Sequence, residues 1–382
     1  MNKRILLAAI PAVLASSAYA QSSVTLYGLI DAGFTYVNHQ GVVGSDGQLH
    51  NQSKFGLTGG NLQGSRFGLR GAEDLGGGLK AIFTLESGFN VMNGNQSESG
   101  KLFNRQSFVG LSSNDFGTLT LGRQYDSVVD YLGPLTAAGT WGGEYFAHYG
   151  DFDNTFNSQR TNNSIKYRSS NYAGLSFSGL YGFSNQAGGF ANNRSYSVGT
   201  GYDNAGLKLG AAYTQVQGQN SGNVNGAVVP NSPQQALYAP FTQSLRTWGA
   251  GGSYAMGPAT VGAVFTQSRF QFGLGDGSDR YNNVEVNARY AATPALSLGV
   301  AYTYTWARRS TPGTDSASAH WNQVGLQADY ALSKRTDIYA EAVGQLGANG
   351  NEGTNAAWVY GTTSPSSNRS QVVVSTGLRH RF

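Results

Sequence analysis

From Leu296 to Trp306 the chain alternates without a break. Leu296, Leu298, Val300, Tyr302, Tyr304 and Trp306 are apolar or aromatic, and Ser297, Gly299, Ala301, Thr303 and Thr305 between them are small or hydroxylic. A repeat of two is the repeat of a β-strand, whose side chains point alternately to two faces, and no helical stripe fits it. The same pattern sets Leu79, Ala81, Phe83, Leu85 and Phe89 against Lys80, Thr84 and Glu86. It returns from Leu175 to Phe183, and in Val284, Val286, Ala288 and Tyr290 set against Glu285, Asn287 and Arg289. The chain is therefore all-β, with two-faced strands.

A soluble sandwich alternates too, so three further features decide what the faces meet. Charged residues make up 12% of the chain, about half the share in an ordinary soluble domain, which leaves a water-facing surface short of charge. The alternating segments have the roughly 9–11 residues that a tilted membrane-spanning strand needs. Aromatics gather at segment ends (Tyr27, Phe34, Tyr36; Tyr302, Tyr304, Trp306), as interfacial girdles do. No segment approaches 18 uninterrupted apolar residues, which excludes spanning helices on pattern. With no cysteine, an exported chain has no disulfide to form, and a closed barrel supplies the backbone bonding it needs.

Export is written in residues 1–20. Lys3 and Arg4 precede an apolar run from Ile5 to Ala15, and small residues close the segment at Ala18-Tyr19-Ala20. That run is too short to span a bilayer, so it reads as a cleaved signal peptide. The mature chain would run from Gln21 to Phe382, 382 minus 20 or 362 residues. Its formal charge falls from +4 to +2 as Lys3 and Arg4 leave, and no basic run supports a nucleic-acid surface.

Short spacers (Asp74-Leu75-Gly76-Gly77-Gly78, Asp203-Asn204-Ala205-Gly206, Gly257-Pro258, Thr293-Pro294) are distinct from long polar ones (Asn38 to Asn61, Gly218 to Ser244, Asn349 to Asn368). Short turns at one end and long loops at the other mark an outer-membrane barrel. The alternation predicts strands near 24–36, 63–73, 79–90, 103–112, 118–126, 162–169, 174–184, 195–203, 207–217, 245–256, 259–270, 281–291, 296–307, 320–332, 336–347 and 370–382. Sixteen is an even number, as closure requires, and a barrel of that size encloses water. No composition break divides residues 21–382, so they form one domain.

One connection is unlike the others. Ser127 to Gln159 is long and holds Trp141, Glu144, Tyr145, Phe146, Asp151, Phe152 and Asp153, a composition poorly suited to open water. The segments VTLYGLIDAGF, GSRFGLRGAEDLGGGLKAIFTLESGF and LFNRQSFVGLSSNDFGTLTLGRQYD, with the closing Phe382, together resemble the Gram-negative general diffusion porins, in their beta-proteobacterial branch. The resemblance implies an antiparallel sixteen-stranded homotrimeric barrel in the outer membrane, set among lipid and lipopolysaccharide and inserted by the barrel assembly machinery. It implies that the third extracellular loop, here 127–159, folds inward to narrow the pore. It also makes Phe382 an assembly signal and places Glu98, in the second loop, to meet Arg123 of a neighbouring subunit.

Alternation assigns Arg66, Arg70, Lys80, Arg105, Lys166 and Arg168 to the lumen, against Asp31 and Glu86. The tally is six minus two, or +4. By resemblance, Arg66, Arg105 and Arg160 line one wall opposite loop carboxylates. Yet Pro134 to Gly143 carries no acid, and Glu144, Asp151 and Asp153 follow it. Uncompensated arginines in a constriction narrower than the roughly 8 Å screening length concentrate anions. The expectation is a passive channel for small hydrophilic solutes and ions, preferring anions.

Two alternatives stay open at this point. A solute-specific channel would carry a ladder of aromatics on the lumen face, and some outer-membrane barrels are enzymes or adhesins. The five histidines (His39, His50, His148, His320, His380) are far apart and none lies at a short metal-ligand spacing. No serine lies in a G-x-S-x-G elbow, and Gly94 to Lys101 is followed by Leu102 where a phosphate loop needs Ser or Thr. Asp151-Phe152-Asp153 opens like a calcium loop, but the later ligands do not follow. The reading calls for no catalysis, cofactor or metal.

Overall fold

The computed structural model describes residues 23–229, 232–273, 277–313, 316–348 and 355–382, so the export signal at 1–20 lies outside the described residues. Among the described residues there are seventeen strands: β1 Ser23–Val43, β2 Leu49–Gly59, β3 Arg66–Gly76, β4 Leu79–Gly88, β5 Gln106–Ser113, β6 Gly117–Gln124, β7 Thr161–Arg168, β8 Leu175–Gly182, β9 Arg194–Asn204, β10 Leu207–Gln217, β11 Thr242–Met256, β12 Ala259–Phe272, β13 Ser278–Ala291, β14 Leu296–Ser310, β15 Ala317–Ala331, β16 Thr336–Ala348 and β17 Ser370–Arg381. Every pairing is antiparallel, and β17 returns to β1 in the register Leu29↔Arg381 to Val37↔Val373. The sheet is thus closed.

Seventeen segments fill sixteen places in the wall. β2 and β3 run in the same direction along one edge of β1, β3 beside Ser23–Leu29 and β2 beside Ala32–Val43. They are one stave interrupted at residues 60–65. The interruption has a cause: the Asp31 carboxylate, inside the barrel, accepts the backbone N–H groups of Leu62 (2.9 Å) and Gln63 (2.8 Å) and draws the chain inward.

The expected loop from Asn38 to Asn61 is a correction. β1 continues to Val43 and pairs with β2 down to Val43↔Leu49, leaving a turn of residues 44–48. Above the bilayer a strand meets water on both faces, so its polar sequence reads as a loop although its backbone stays paired.

Burial is inverted relative to a soluble protein. On β14, Leu298 and Val300 are 44% and 45% exposed, while Thr303 and Thr305 between the outward residues are 3% exposed. Lipid accounts for the outward apolar face, and the polar face lines the lumen.

The inside is filled in part by the segment 125–160, which enters the barrel after β6. It opens with a short helix, α1 (Ser127–Tyr131), capped by the Asp126 carboxylate accepting from Val128 N (2.9 Å) and Val129 N (3.0 Å). It then packs on the inner wall, where missing side chains make room. A Cβ on Gly299 would lie 2.4 Å from the Trp141 ring, and one on Gly325 would lie 2.2 Å from the Phe146 ring. The connection between β16 and β17 also dips inward, burying Val359 and Tyr360.

Candidate functional site

The neck of the lumen lies between that loop and the wall built by β3, β4 and the ends of β6 and β7. Strand parity brings Arg66 on β3 and Glu86 on β4 to the inner face, two residues apart in register. Arg105 Nε donates to Glu86 Oε1 at 2.7 Å, Arg66 Nε lies 3.8 Å from Glu86 Oε2, and the Tyr27 hydroxyl donates to the same oxygen at 3.0 Å. Arg105 Nη2 also donates to the Tyr125 hydroxyl (3.0 Å), and the Arg160 guanidinium lies 5.6 Å from the Tyr125 ring centre. Arg160 Nη2 donates to Asn157 Oδ1 at 3.2 Å, while its Nε meets no partner.

These groups line a cavity of about 560 Å³. The loop contributes Ala138, Gly139, Glu144, Phe156, Asn157 and Ser158 to it, and the inward dip after β16 contributes Tyr360. Three guanidiniums therefore face two carboxylates. Glu86 is shared by two arginines, and among the described residues Arg160 has no carboxylate at ion-pair distance.

Of the other lumen cations, Arg70, Lys80 and Arg168 face inward but are exposed and lie outside this cavity. Lys80 and Arg168 stand beside the short turns, at the other end of the wall. Lys166 is neutralised, its Nζ 2.6 Å from Asp130 Oδ2 and donating to Tyr125 O at 2.8 Å. Four of the seven expected basic constriction residues are thus elsewhere, because alternation reports the face of a strand and not the height along it.

The loop acids divide sharply. Glu144 lines the cavity, whereas Asp151 and Asp153 are fully buried against the opposite wall and do not face the pore. Asp151 accepts from the N–H groups of Phe156 (2.9 Å) and Ser158 (3.1 Å). Burial, and then the charge of Asp153, push its carboxyl above the usual range. Asp153 accepts from Thr266 Oγ1 (2.5 Å) and from His148 Nδ1 (2.6 Å). His148 Nε2 reaches Glu285 Oε2 at 3.0 Å. Burial disfavours the imidazolium, but two carboxylates on one ring outweigh it and hold His148 well above its ordinary value. In turn the imidazolium holds Asp153 below the usual carboxylate range despite its burial.

Glu98 and Arg123 do meet, within one chain. Arg123 Nη2 lies 2.7 Å from Glu98 Oε2 and its Nε donates to Asn104 O at 2.9 Å. Lys101 shares the same carboxylate. The second loop folds over its own wall, so the charge expected to need a neighbour is matched locally. Phe382 closes the barrel by exchanging two backbone hydrogen bonds with Gly28, at 3.0 and 3.1 Å.

The sequence profile of the Gram-negative porin family matches residues 6–351. The chain is a Gram-negative porin. An outer membrane porin protein of Bordetella pertussis is 31% identical over the whole of both chains. Outer membrane porin protein 32 of Delftia acidovorans is 30% identical, covering 97% of this porin and 98% of that one. Among solved structures, the anion-selective porin from Comamonas acidovorans superposes with a TM-score of 0.71 at 26% identity, covering 95% of this porin and all of its counterpart. The porin is accordingly an outer-membrane channel, and its relatives are channels too.

Sequence reasoning missed Tyr125, Phe156 and Tyr360. Tyr125 continues the inward parity only past a register shift after Gly122, and Tyr360 comes from a polar spacer with no local pattern. It also missed an inner aromatic group, in which Tyr149 stacks on Trp321 at 4.2 Å and Phe152 packs edge-on to Phe270 at 5.0 Å. Trp321, Phe152 and Phe270 are buried. They hold the loop to the wall, and Tyr149, Tyr238, Tyr281 and Trp321 also line a cavity of about 180 Å³ beside Arg309.

Proposed function

We propose that the porin conducts small hydrophilic solutes with a preference for anions, set at the neck by Arg66, Arg105 and Arg160. The observation that carries this is the imbalance of three guanidiniums over Glu86 and Glu144 in one cavity. A solute passing within roughly 8 Å of these groups is inside their unscreened field at physiological salt. The name of the anion-selective porin from Comamonas acidovorans supports the same sign. Arg70, Lys80 and Arg168 then act as an exposed basic approach on the short-turn side. The test is the zero-current potential across a planar bilayer in a potassium chloride gradient. A chloride-selective sign is expected, and a potassium-selective sign refutes the reading.

The homotrimer, the cleaved signal at 1–20 and the assembly role of Phe382 belong to the same proposal. Phe382 pairs with Gly28 at the seam where β1 and β17 close, so its loss should slow barrel closure more than it alters the finished pore. Normal amounts of heat-modifiable barrel after its deletion, a monomer by native mass measurement, or a mature chain retaining residue 20 would each remove one part. A solute-specific channel remains the second reading, because Tyr149, Tyr238, Tyr281 and Trp321 line a cavity beside Arg309; saturable, solute-blocked conductance in the bilayer would favour it. A purified barrel with hydrolase activity would restore the enzyme alternative.

A further inference from the structure

Glu144 occupies an unusual position for a carboxylate in this lumen. Its backbone N–H donates to Asn61 O at 2.7 Å, which fixes it at the loop's inner edge. Its side chain passes so close to Gly361 that a Cβ there would lie 2.7 Å from Glu144 Cγ. The carboxyl is then delivered to the same cavity as Arg66, Arg105 and Arg160. Among the described residues no cation reaches ion-pair distance of it, and no hydrogen bond holds it.

The groups around it explain why it stays unpaired. On the wall behind it are Asp31 of β1 and Glu341 of β16, both carboxylic, and beside it are Tyr145 and Tyr360. Across the cavity stand Arg66 of β3, Glu86 of β4, Arg105 and Arg160. Arg105 and Arg66 are taken by Glu86, and Arg160 by Asn157 and Ser158. Glu86 is tied to both guanidiniums. The enclosure of Glu144 and the negative charge of Asp31 favour its neutral form and push its carboxyl up to about 7. Asp151, another loop acid whose carboxyl is pushed up, does not line the cavity and is bound by the N–H groups of Phe156 and Ser158.

We propose that Glu144 is a titratable selectivity determinant: neutral, it leaves the arginine wall to attract anions, and ionised, it offsets one guanidinium and weakens the anion preference. This rests on the anion-preferring reading above. The charge count at the neck is three cations against Glu86 alone in the acid state, and against Glu86 and Glu144 in the alkaline state. One unit charge acting on ions that pass within about a Debye length should change the chloride-to-potassium permeability ratio by about two- to fivefold.

The experiment is the zero-current potential of the full porin in a potassium chloride gradient, at about pH 5 and about pH 9, on either side of the carboxyl's titration. The wild type should be more chloride-selective in acid. Glu144→Gln should hold the acid value at both pH values, and Glu144→Asp should keep the pH dependence. A wild type that prefers chloride equally at both pH values, or the same pH span in Glu144→Gln, overturns the proposal. A potassium-selective wild type whose pH span vanishes in Glu144→Gln instead overturns the anion reading and keeps Glu144 as the determinant. Because the chain has no cysteine, Glu144→Cys gives a check if the glutamine variant does not insert. An anionic methanethiosulfonate reagent should lower the anion preference and a cationic one raise it, and no difference between the two overturns the proposal.

Discussion

On the side where the third loop meets β13 and β15, wall side chains take up its peptide groups, whereas its open face, which lines the cavity with Arg66, Arg105 and Arg160, leaves polar groups unpaired. Glu285 Oε1 accepts from Ala137 N (2.7 Å), Asn287 Nδ2 donates to Leu135 O (3.0 Å), Gln327 Nε2 to Trp141 O (2.6 Å) and Gln323 Nε2 to Ala147 O (3.2 Å). Across the loop, Glu144 and Arg160 Nε have no such partners. A buried loop must satisfy its own peptide groups before it can be placed rigidly, and the wall supplies the donors and acceptors that it lacks. On the pore side Glu144 is half-buried and Arg160 Nε is buried without a partner, a cost that the packed side offsets. On the proposed reading, rigidity and selectivity are divided between two sides of one segment.

The largest effect should come from the open face. Changing both Arg66 and Arg105 to Glu replaces two cations with two anions and should reverse the sign of the zero-current potential. An unchanged sign would mean that the neck does not set selectivity.

On the packed face, Phe146→Ala removes a buried ring that fills the space above Gly325 and meets Trp141 edge-on at 5.1 Å. Such a deletion costs about 3–5 kcal/mol, felt by the loop more than by the wall, whose ladder does not include it. Faster proteolysis within 127–159 and greater open-channel noise, with an intact heat-modifiable barrel, are expected. A barrel that unfolds with its loop would show that the two are a single cooperative unit.

A smaller effect is expected from His148. Its imidazolium value is raised in the folded protein, so the stabilisation it gives the loop is complete below its ordinary value of about 6.5 and is lost as pH rises through the raised one. Open-channel noise should therefore increase at alkaline pH in the wild type, and His148→Gln should be noisy and flat across the range. This readout is separate from selectivity, so the Glu144 titration does not mask it.

The smallest is Glu98→Ala. Arg123 keeps Asn104 O and Asn162, and a partly exposed pair is worth about 1 kcal/mol or less. Heat stability of the monomeric barrel should fall slightly. A trimer that loosens while its monomers do not would return Glu98 to a contact between subunits.

The wall of the barrel was legible because strand periodicity is local: each residue's face follows from its neighbours two positions away, whatever the rest of the chain does. Leu296 to Trp306 carried that information unaided, and so did Arg66, Glu86 and Arg105 as inward residues. Asn38 to Asn61 misled because pairing outside the bilayer needs no apolar face. In the third loop, aromatic content suggested an inward fold, yet nothing local distinguished Glu144 from Asp151 and Asp153. That distinction depends on His148 meeting Glu285 and Ala137 meeting the same carboxylate, contacts between segments more than 130 residues apart. The order of residues by itself determined a closed two-faced sheet with a polar interior. Which carboxylates the wall consumed and which one it left in the pore was decided only when the loop was seated, since a buried charge takes whatever partners the fold brings within reach.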